Sequence, residues 1–158
     1  MRITRATTAH VPALVELLNR SPLLHRYGVT RPGARRGLLR GLRRRDSLHV
    51  ALERAEILGL AWVIITPALD HSAYLNLLLV AEGKQSRGVG AALLTHAERR
   101  ARASGCRHMV FLVTAQNRRA RAFYRRQGYR LVGNLPGFVR PAIDETLYLK
   151  SLSRDRGR

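Results

Sequence analysis

Gln85-Ser86-Arg87-Gly88-Val89-Gly90-Ala91 stands between an apolar, strand-like stretch at residues 74–80 and a helical pattern at residues 89–104, with Val89, Leu93, Ala97 and Ala101 at four-residue spacing. Two glycines therefore open a helix. A helix start leaves backbone N–H groups without partners and carries partial positive charge, and glycine lets a ligand approach the chain closely. Those are the requirements for gripping a phosphate. Three phosphate-binding patterns compete for the segment. The P-loop follows its second glycine with Lys, but Val89 follows Gly88. The dinucleotide pattern requires a third glycine where Leu93 stands and an acidic residue about twenty positions on, around His108 to Val110, where there is none. The pattern that remains is Gln/Arg-x-x-Gly-x-Gly/Ala, met by Gln85, Gly88 and Gly90.

Outward from this turn, the chain alternates strand and helix signals. Residues 2–7 alternate apolar and polar like an edge strand, and Thr7 or Thr8 then caps a helix with Val11, Leu14, Val15 and Leu18 on one face. Residues 21–31 read as a loop, and Pro32 suits the first turn of a second helix with Leu38, Leu39 and Leu42 as its apolar stripe. The other faces of that helix carry Arg35, Arg36, Arg40, Arg43, Arg44 and Arg45, the strongest basic patch in the chain. Residues 47–52 and 57–65 are apolar stretches split by Glu53-Arg54-Ala55-Glu56, which reads as an antiparallel hairpin ended by Pro67. After the central helix, stopped at Gly105, residues 108–114 read as a strand and residues 117–127 as a helix ended by Gly128. Late strands follow near residues 129–133 and 143–149. The expectation is one α/β domain over residues 1–150 with a frayed tail at residues 151–158.

Composition narrows the function classes. A chain of 158 residues buries roughly two-thirds of its unfolded surface, enough for a real core. No window approaches the ~18 apolar residues of a membrane span, and the first residues lack the apolar core of a signal peptide. No membrane partner and a cytoplasmic location are expected. Cys106 is the single cysteine, so no internal disulfide forms and no cysteine-based metal site is assembled. Its neighbour His108 invites a Cys/His nucleophile reading, but no orienting Asn or Asp accompanies the pair. The formal charge of +19 would steer anions toward the protein. Only Lys84 and Lys150 are lysines among the 29 basic residues, a skew that genomic base composition produces as readily as a partner does.

A second stretch completes the case: Asn117-Arg118-Arg119-Ala120-Arg121-Ala122-Phe123-Tyr124-Arg125-Arg126-Gln127-Gly128-Tyr129. Asn117 is a good helix cap and Phe123 a good core residue, which leaves Tyr124 without a structural task of its own. Together the two stretches resemble motifs A and B of the GNAT acetyltransferases, in the family's order and at its separation. The resemblance implies a GNAT fold: a mixed, mostly antiparallel sheet of about six to seven strands flanked by about four helices. It implies acetyl-CoA as co-substrate, no metal, and N-acetyl transfer to a primary amine. Gln85, Ser86, Arg87, Gly88, Val89, Gly90 and Ala91 would hold the pyrophosphate of coenzyme A, with Asn117 and Tyr124 also on the cofactor. In the family the strand before motif A splays from its neighbour and its amides bind the pantetheine arm and polarise the thioester carbonyl. The matching residues are Leu78, Leu79 and Val80.

Tyr124 matches the family's common general acid for the departing thiolate. The base departs from the pattern: many relatives place Glu near the position of Asn76, and Asn takes no proton. Glu53, Asp70, His71 and Glu145 are the remaining candidates. Leu135-Pro136-Gly137-Phe138 and Asp144-Glu145-Thr146-Leu147-Tyr148 resemble the endings of members that act on small amines. Positive charge near the acceptor cleft would repel polyamines and favour an acceptor bearing carboxylate or phosphate. Protein- or RNA-borne amines, a homodimer, and a basic nucleic-acid-binding module that retains the fold stay open; nucleic acid is the less favoured partner, since few exposed aromatics interleave with the arginines.

Overall fold

Val11, Leu14, Val15 and Leu18 recur at helical spacing and close one face of α1 (Val11–Asn19), and all four are buried. In the computed structural model, which describes residues 1–153, the same logic of period and punctuation sets most elements. β1 (Arg2–Arg5) comes first, and α2 (Pro22–Arg26) follows α1. α2 falls in the stretch read as a loop: Ser21 caps it by accepting from the Leu24 N–H, and Pro22 sits in its first turn. α3 (Arg31–Arg43) starts at Thr30, whose hydroxyl accepts from the Gly33 N–H at 3.2 Å.

β2 (Ser47–Glu53) and β3 (Glu56–Thr66) form the expected hairpin, with Glu53 opposite Glu56. Its two turn residues, Arg54 and Ala55, both have positive φ (45° and 70°), the hand that matches the twist of paired strands. A short left-handed turn labelled α4 (Ala68–His71) precedes β4 (Ser72–Val80). Then come α5 (Val89–Ala103), β5 (His108–Thr114), α6 (Arg118–Arg126), β6 (Arg130–Arg140) and β7 (Ile143–Ser151). The strand order in the sheet is β1-β2-β3-β4-β5-β7-β6, seven strands, with β4 and β5 parallel and the β1/β2, β2/β3, β5/β7 and β6/β7 pairs antiparallel. The mixed α/β sheet is as expected; the helices number six among the described residues, two of them, α2 and α4, only five and four residues long.

The chain divides into two compact units. The first comprises Met1–Ile64 and Leu77–Ala97, and its core is built from α1, α3, β2 and β3, with Leu14, Leu38, Leu48, Val50 and Leu60 fully enclosed. The second comprises Ile65–Asn76 and the chain from Glu98 onward. Its core gathers aromatic rings around Phe111, with Tyr124 at 4.2 Å, Tyr129 at 4.7 Å and Tyr148 at 6.0 Å between centroids.

Two expectations about the C-terminal region change. β6 runs to Arg140 rather than ending near Gly133, because β7 continues to pair with it up to Arg140 opposite Ile143. The frayed tail expected from residue 151 does not begin there. Ser151 ends β7, and Leu152 is 1% exposed, its N–H donating to Arg107 O at 2.7 Å and its carbonyl accepting from Arg102 Nε at 2.7 Å. Residues 154–158 of that tail lie outside the described residues.

Candidate active site

Three residues of the turn between β4 and α5 occupy the left-handed region: Gly83 (φ 75°), Ser86 (φ 62°) and Gly88 (φ 79°). A side chain at Gly83 or Gly88 would meet nothing within 4 Å, so backbone conformation demands glycine there and the space above stays open. The Gln85 amide donates to Val80 O at 3.4 Å and ties the turn to the end of β4. Gln85, Ser86, Arg87 and Gly88 are exposed, whereas Val89 is 4% exposed and anchors the helix start in the core. Gly90 and Ala91 are half-buried. The first helical bond runs from Ala92 N–H to Gly88 O at 2.9 Å, so the N–H groups of Val89, Gly90 and Ala91 have no acceptor within the helix. Positively polarised amides at a helix start, with the exposed Arg87 beside them, fit a diphosphate.

Gly59, which sequence reading passed over, decides how that turn is positioned. A Cβ at Gly59 would lie 2.7 Å from Leu79 O and 3.0 Å from Leu93 Cδ1, so only glycine lets β3, the end of β4 and α5 meet. Ala81 N–H then donates to Leu58 O at 2.9 Å. The available signal was an isolated glycine inside an apolar strand pattern, which marks close backbone approach. Leu78, Leu79 and Val80 are half-buried at this end of β4. The parallel register of β4 with β5 covers Ala73 opposite Met109 and Tyr74 opposite Val110 and involves none of these three. An open, polar cleft of about 520 Å³ beside the turn is lined by Glu53, Arg54, Glu56 and Lys84. Its carboxylates make it the wrong place for phosphate; Lys84 is held by Glu56 at 2.9 Å.

The remaining predicted site residues belong to the second unit. Asn117 caps α6, its Oδ1 accepting from the Ala120 N–H at 3.0 Å. Phe123 and Tyr124 exchange the environments expected of them: Phe123 is half-buried, and Tyr124, 8% exposed, takes the core place against Phe111. Burial pushes the Tyr124 phenol well above the usual tyrosine range, so it stays a proton donor at neutral pH.

Of the four candidate bases, Glu145 alone is buried, at 2% exposed, on β7 opposite Thr114 and Leu135. The Tyr74 phenol is pushed up by burial and, secondarily, by the charge of Glu145. Glu53 is exposed and 3.7 Å from the N-terminal ammonium. Asp70 and His71 sit in the exposed left-handed turn, where His71 Nε2 lies 3.1 Å from Ser104 O. Asn76 is exposed on β4. Burial raises the Cys106 thiol, which disfavours the thiolate a nucleophile needs.

A buried charge network also escaped sequence reading. Glu98, 6% exposed, accepts from Tyr129 Oη and Lys150 Nζ, each at 2.9 Å, and lies 3.7 Å from Arg102. Lys150 Nζ also donates to Gln127 O at 2.8 Å, closing the C-terminal end of α6. Burial, then the charge and hydrogen bond of Glu98, hold the Tyr129 phenol far above its ordinary range.

The glycine turn before α5 and the capped α6 with its buried tyrosine are the two stretches whose sequences resemble an acetyl-CoA-dependent transferase. The model of the acetyltransferase (GNAT) family matches residues 12–129, and the chain belongs to that family, a family of acetyl-CoA-dependent N-acetyltransferases. Its fold recurs in solved structures. The ribosomal-protein-alanine N-acetyltransferase of Brucella melitensis is 23% identical with a TM-score of 0.77, over 96% of this chain and 99% of that one. An aminoglycoside 6'-N-acetyltransferase complexed with coenzyme A is 14% identical with a TM-score of 0.83, over 99% and 100%. The yncA protein of Salmonella typhimurium, with its cofactor acetyl-CoA, is 18% identical with a TM-score of 0.78, over 100% and 97%. No curated protein matches the chain in sequence. Among the described residues, no helix is long and apolar enough to cross a membrane, and no group of three or more His, Cys, Asp or Glu is placed to hold a metal ion.

Proposed function

We propose that this protein moves the acetyl group of acetyl-CoA onto the primary amine of a small molecule that also carries a carboxylate or phosphate. The observation that carries the reading is the start of α5, where the amides of Val89, Gly90 and Ala91 have no acceptor within the helix and the left-handed Gly88 before them has open space around it. Gln85, Ser86 and Arg87 complete the grip on the pyrophosphate, the backbone of Leu78, Leu79 and Val80 holds the pantetheine arm, and Asn117 Nδ2 adds a donor to the cofactor. The acceptor nitrogen attacks the thioester carbonyl carbon, the carbon–sulfur bond breaks, and the thiolate takes the Tyr124 proton. The proton lost by the amine goes to Glu145, directly or through water.

The names of the similar structures span both a small-molecule acceptor and a protein N-terminal residue. The acceptor class therefore rests on this chain's own chemistry. A net charge of +19 repels polycationic amines and attracts anionic ones. Incubating the protein with acetyl-CoA and a panel of amines, with thiol release as the readout, tests the reading. Turnover is expected on amines bearing carboxylate or phosphate. Turnover only on cationic amines or on peptide N-termini contradicts the acceptor class, and failure to bind acetyl-CoA at all contradicts the whole reading.

A further inference from the structure

We propose that the arginine stripe of α3 is a docking surface for the phosphodiester backbone of a nucleic-acid duplex. The roll of α3 is set by its buried side. Ala34, Leu38 and Gly41 face the core, and a side chain at Gly41 would lie 2.6 Å from Trp62 Cζ2, so the helix cannot turn without a clash. At about 100° per residue, Arg36, Arg40 and Arg43 fall on the opposite side, and all three are exposed, as is the C-cap Arg44. Arg35 and Arg45 are exposed beside them.

Nothing in the neighbourhood neutralises this stripe. The one acidic residue between Arg31 and Ser47 is Asp46, and its Oδ2 is taken by Trp62 Nε1 at 2.9 Å. Glu16 pairs with Arg31 at the far end of the helix. Arg5 adds a further guanidinium at the near end, its NH2 group 3.4 Å from Asp46 O. Among the described residues, none of the six arginines at positions 35, 36, 40, 43, 44 and 45 pairs with a carboxylate. Like charges one helical turn apart repel, a strain that a bound polyanion relieves.

The chemistry of the stripe selects among polyanions. Every member is arginine, whose planar fork grips phosphate oxygens in pairs. From Arg36 to Arg43 the stripe runs about 10 Å along the helix, long enough for successive phosphates. Binding to a lipid surface relies on apolar side chains beside the basic ones, yet the exposed large hydrophobics are Met1, Leu69 and four residues of β6, none on α3. A protein partner would look for an aromatic or aliphatic anchor, which the outward side of α3 also lacks.

The test is fluorescence anisotropy of labelled DNA duplex, RNA duplex and single-stranded RNA across a salt series. It compares the wild type with Arg36→Glu/Arg40→Glu/Arg43→Glu and with a charge-matched control, Arg99→Glu/Arg100→Glu/Arg107→Glu. The α3 variant is expected to lose at least about tenfold more affinity than the control and to lower the salt slope for duplex by about three. Acetyl-CoA binding stays unchanged in both, which separates this surface from the acetyl-transfer site. α3-dependent binding to the duplexes in preference to single-stranded RNA supports the proposal; preference for the single strand, whose bases stack on aromatics that α3 lacks, overturns it. Equal losses in the two variants, or α3-dependent binding to phosphatidylserine vesicles or polyglutamate tighter than to any nucleic acid, overturns it. Should the triple Glu variant lose its far-UV circular dichroism, Arg36→Gln/Arg40→Gln/Arg43→Gln is read by the same criteria.

Discussion

α5 and α6 begin in opposite ways. The residue before α6 is Asn117, and its side chain satisfies the Ala120 N–H, so that helix start is closed by its own sequence. The residue before α5 is Gly88, which has no side chain to offer and adopts φ 79°. Closing a helix start with a side chain contributes about 1 kcal/mol of stability; a glycine start forgoes that and leaves room for an anion. The contrast teaches where stability could be traded for binding: the start that opens on glycine is the one to which the proposed function gives the ligand chemistry, and the capped one holds the buried tyrosine in place.

The comparison breaks most visibly at Gly88. Gly88→Glu places a carboxylate and an unfavourable left-handed residue over the amides, and acetyl-CoA affinity should fall more than about 100-fold by calorimetry. The fold should survive with a melting temperature lower by several degrees, since an L-residue in this region costs about 1–2 kcal/mol. On the α6 side, Tyr124→Phe should lower kcat for thiol release about 100-fold while leaving acetyl-CoA affinity within about twofold, as removal of a general acid does. Parallel losses in both quantities would instead make Tyr124 a packing residue.

Asn117→Asp sharpens the contrast further. Aspartate caps as well as asparagine, so thermal stability should hold, whereas loss of the Nδ2 donor and gain of charge should weaken acetyl-CoA binding about threefold to tenfold. Unchanged affinity would reduce Asn117 to a cap. The smallest effect concerns alkaline pH. Tyr124 and Tyr129 have folded pKa values raised above the unfolded value of 10, so their contribution is intact below about pH 10 and is lost as pH rises beyond it. Melting followed by calorimetry should show stability declining above pH 10, with these two phenols ionising at 295 nm only on unfolding.

Much of the fold was legible because its signals are local. Val11, Leu14, Val15 and Leu18 announce their helix by spacing and are buried as expected. His108–Thr114 is a strand over the residues read as one. Glu53 to Glu56 turns as a hairpin because the polar break has its length. α2 was missed because a five-residue helix shows too little period, although Ser21-Pro22 is a sound start signal. The exchange between Phe123 and Tyr124 was missed for another reason: adjacent aromatics on one helix are equally apolar to a pattern, and only the position of Phe111 decides which of them faces inward. The candidate site divides the same way. Gly83 and Gly88 are visible as glycines in a turn, but the choice of Glu145 among four acids required its burial on β7.

By itself the sequence determined where the backbone must turn, which faces are apolar, and that one helix opens on glycine, because dihedral freedom and periodicity are properties of neighbouring residues. Tertiary structure alone decided that Gly59 faces Leu79 O, that Glu98 gathers Tyr129 and Lys150 from 31 and 52 residues away, and that α3 turns its arginines outward. Those outcomes depend on which distant surfaces exclude water together, and no local pattern encodes that choice.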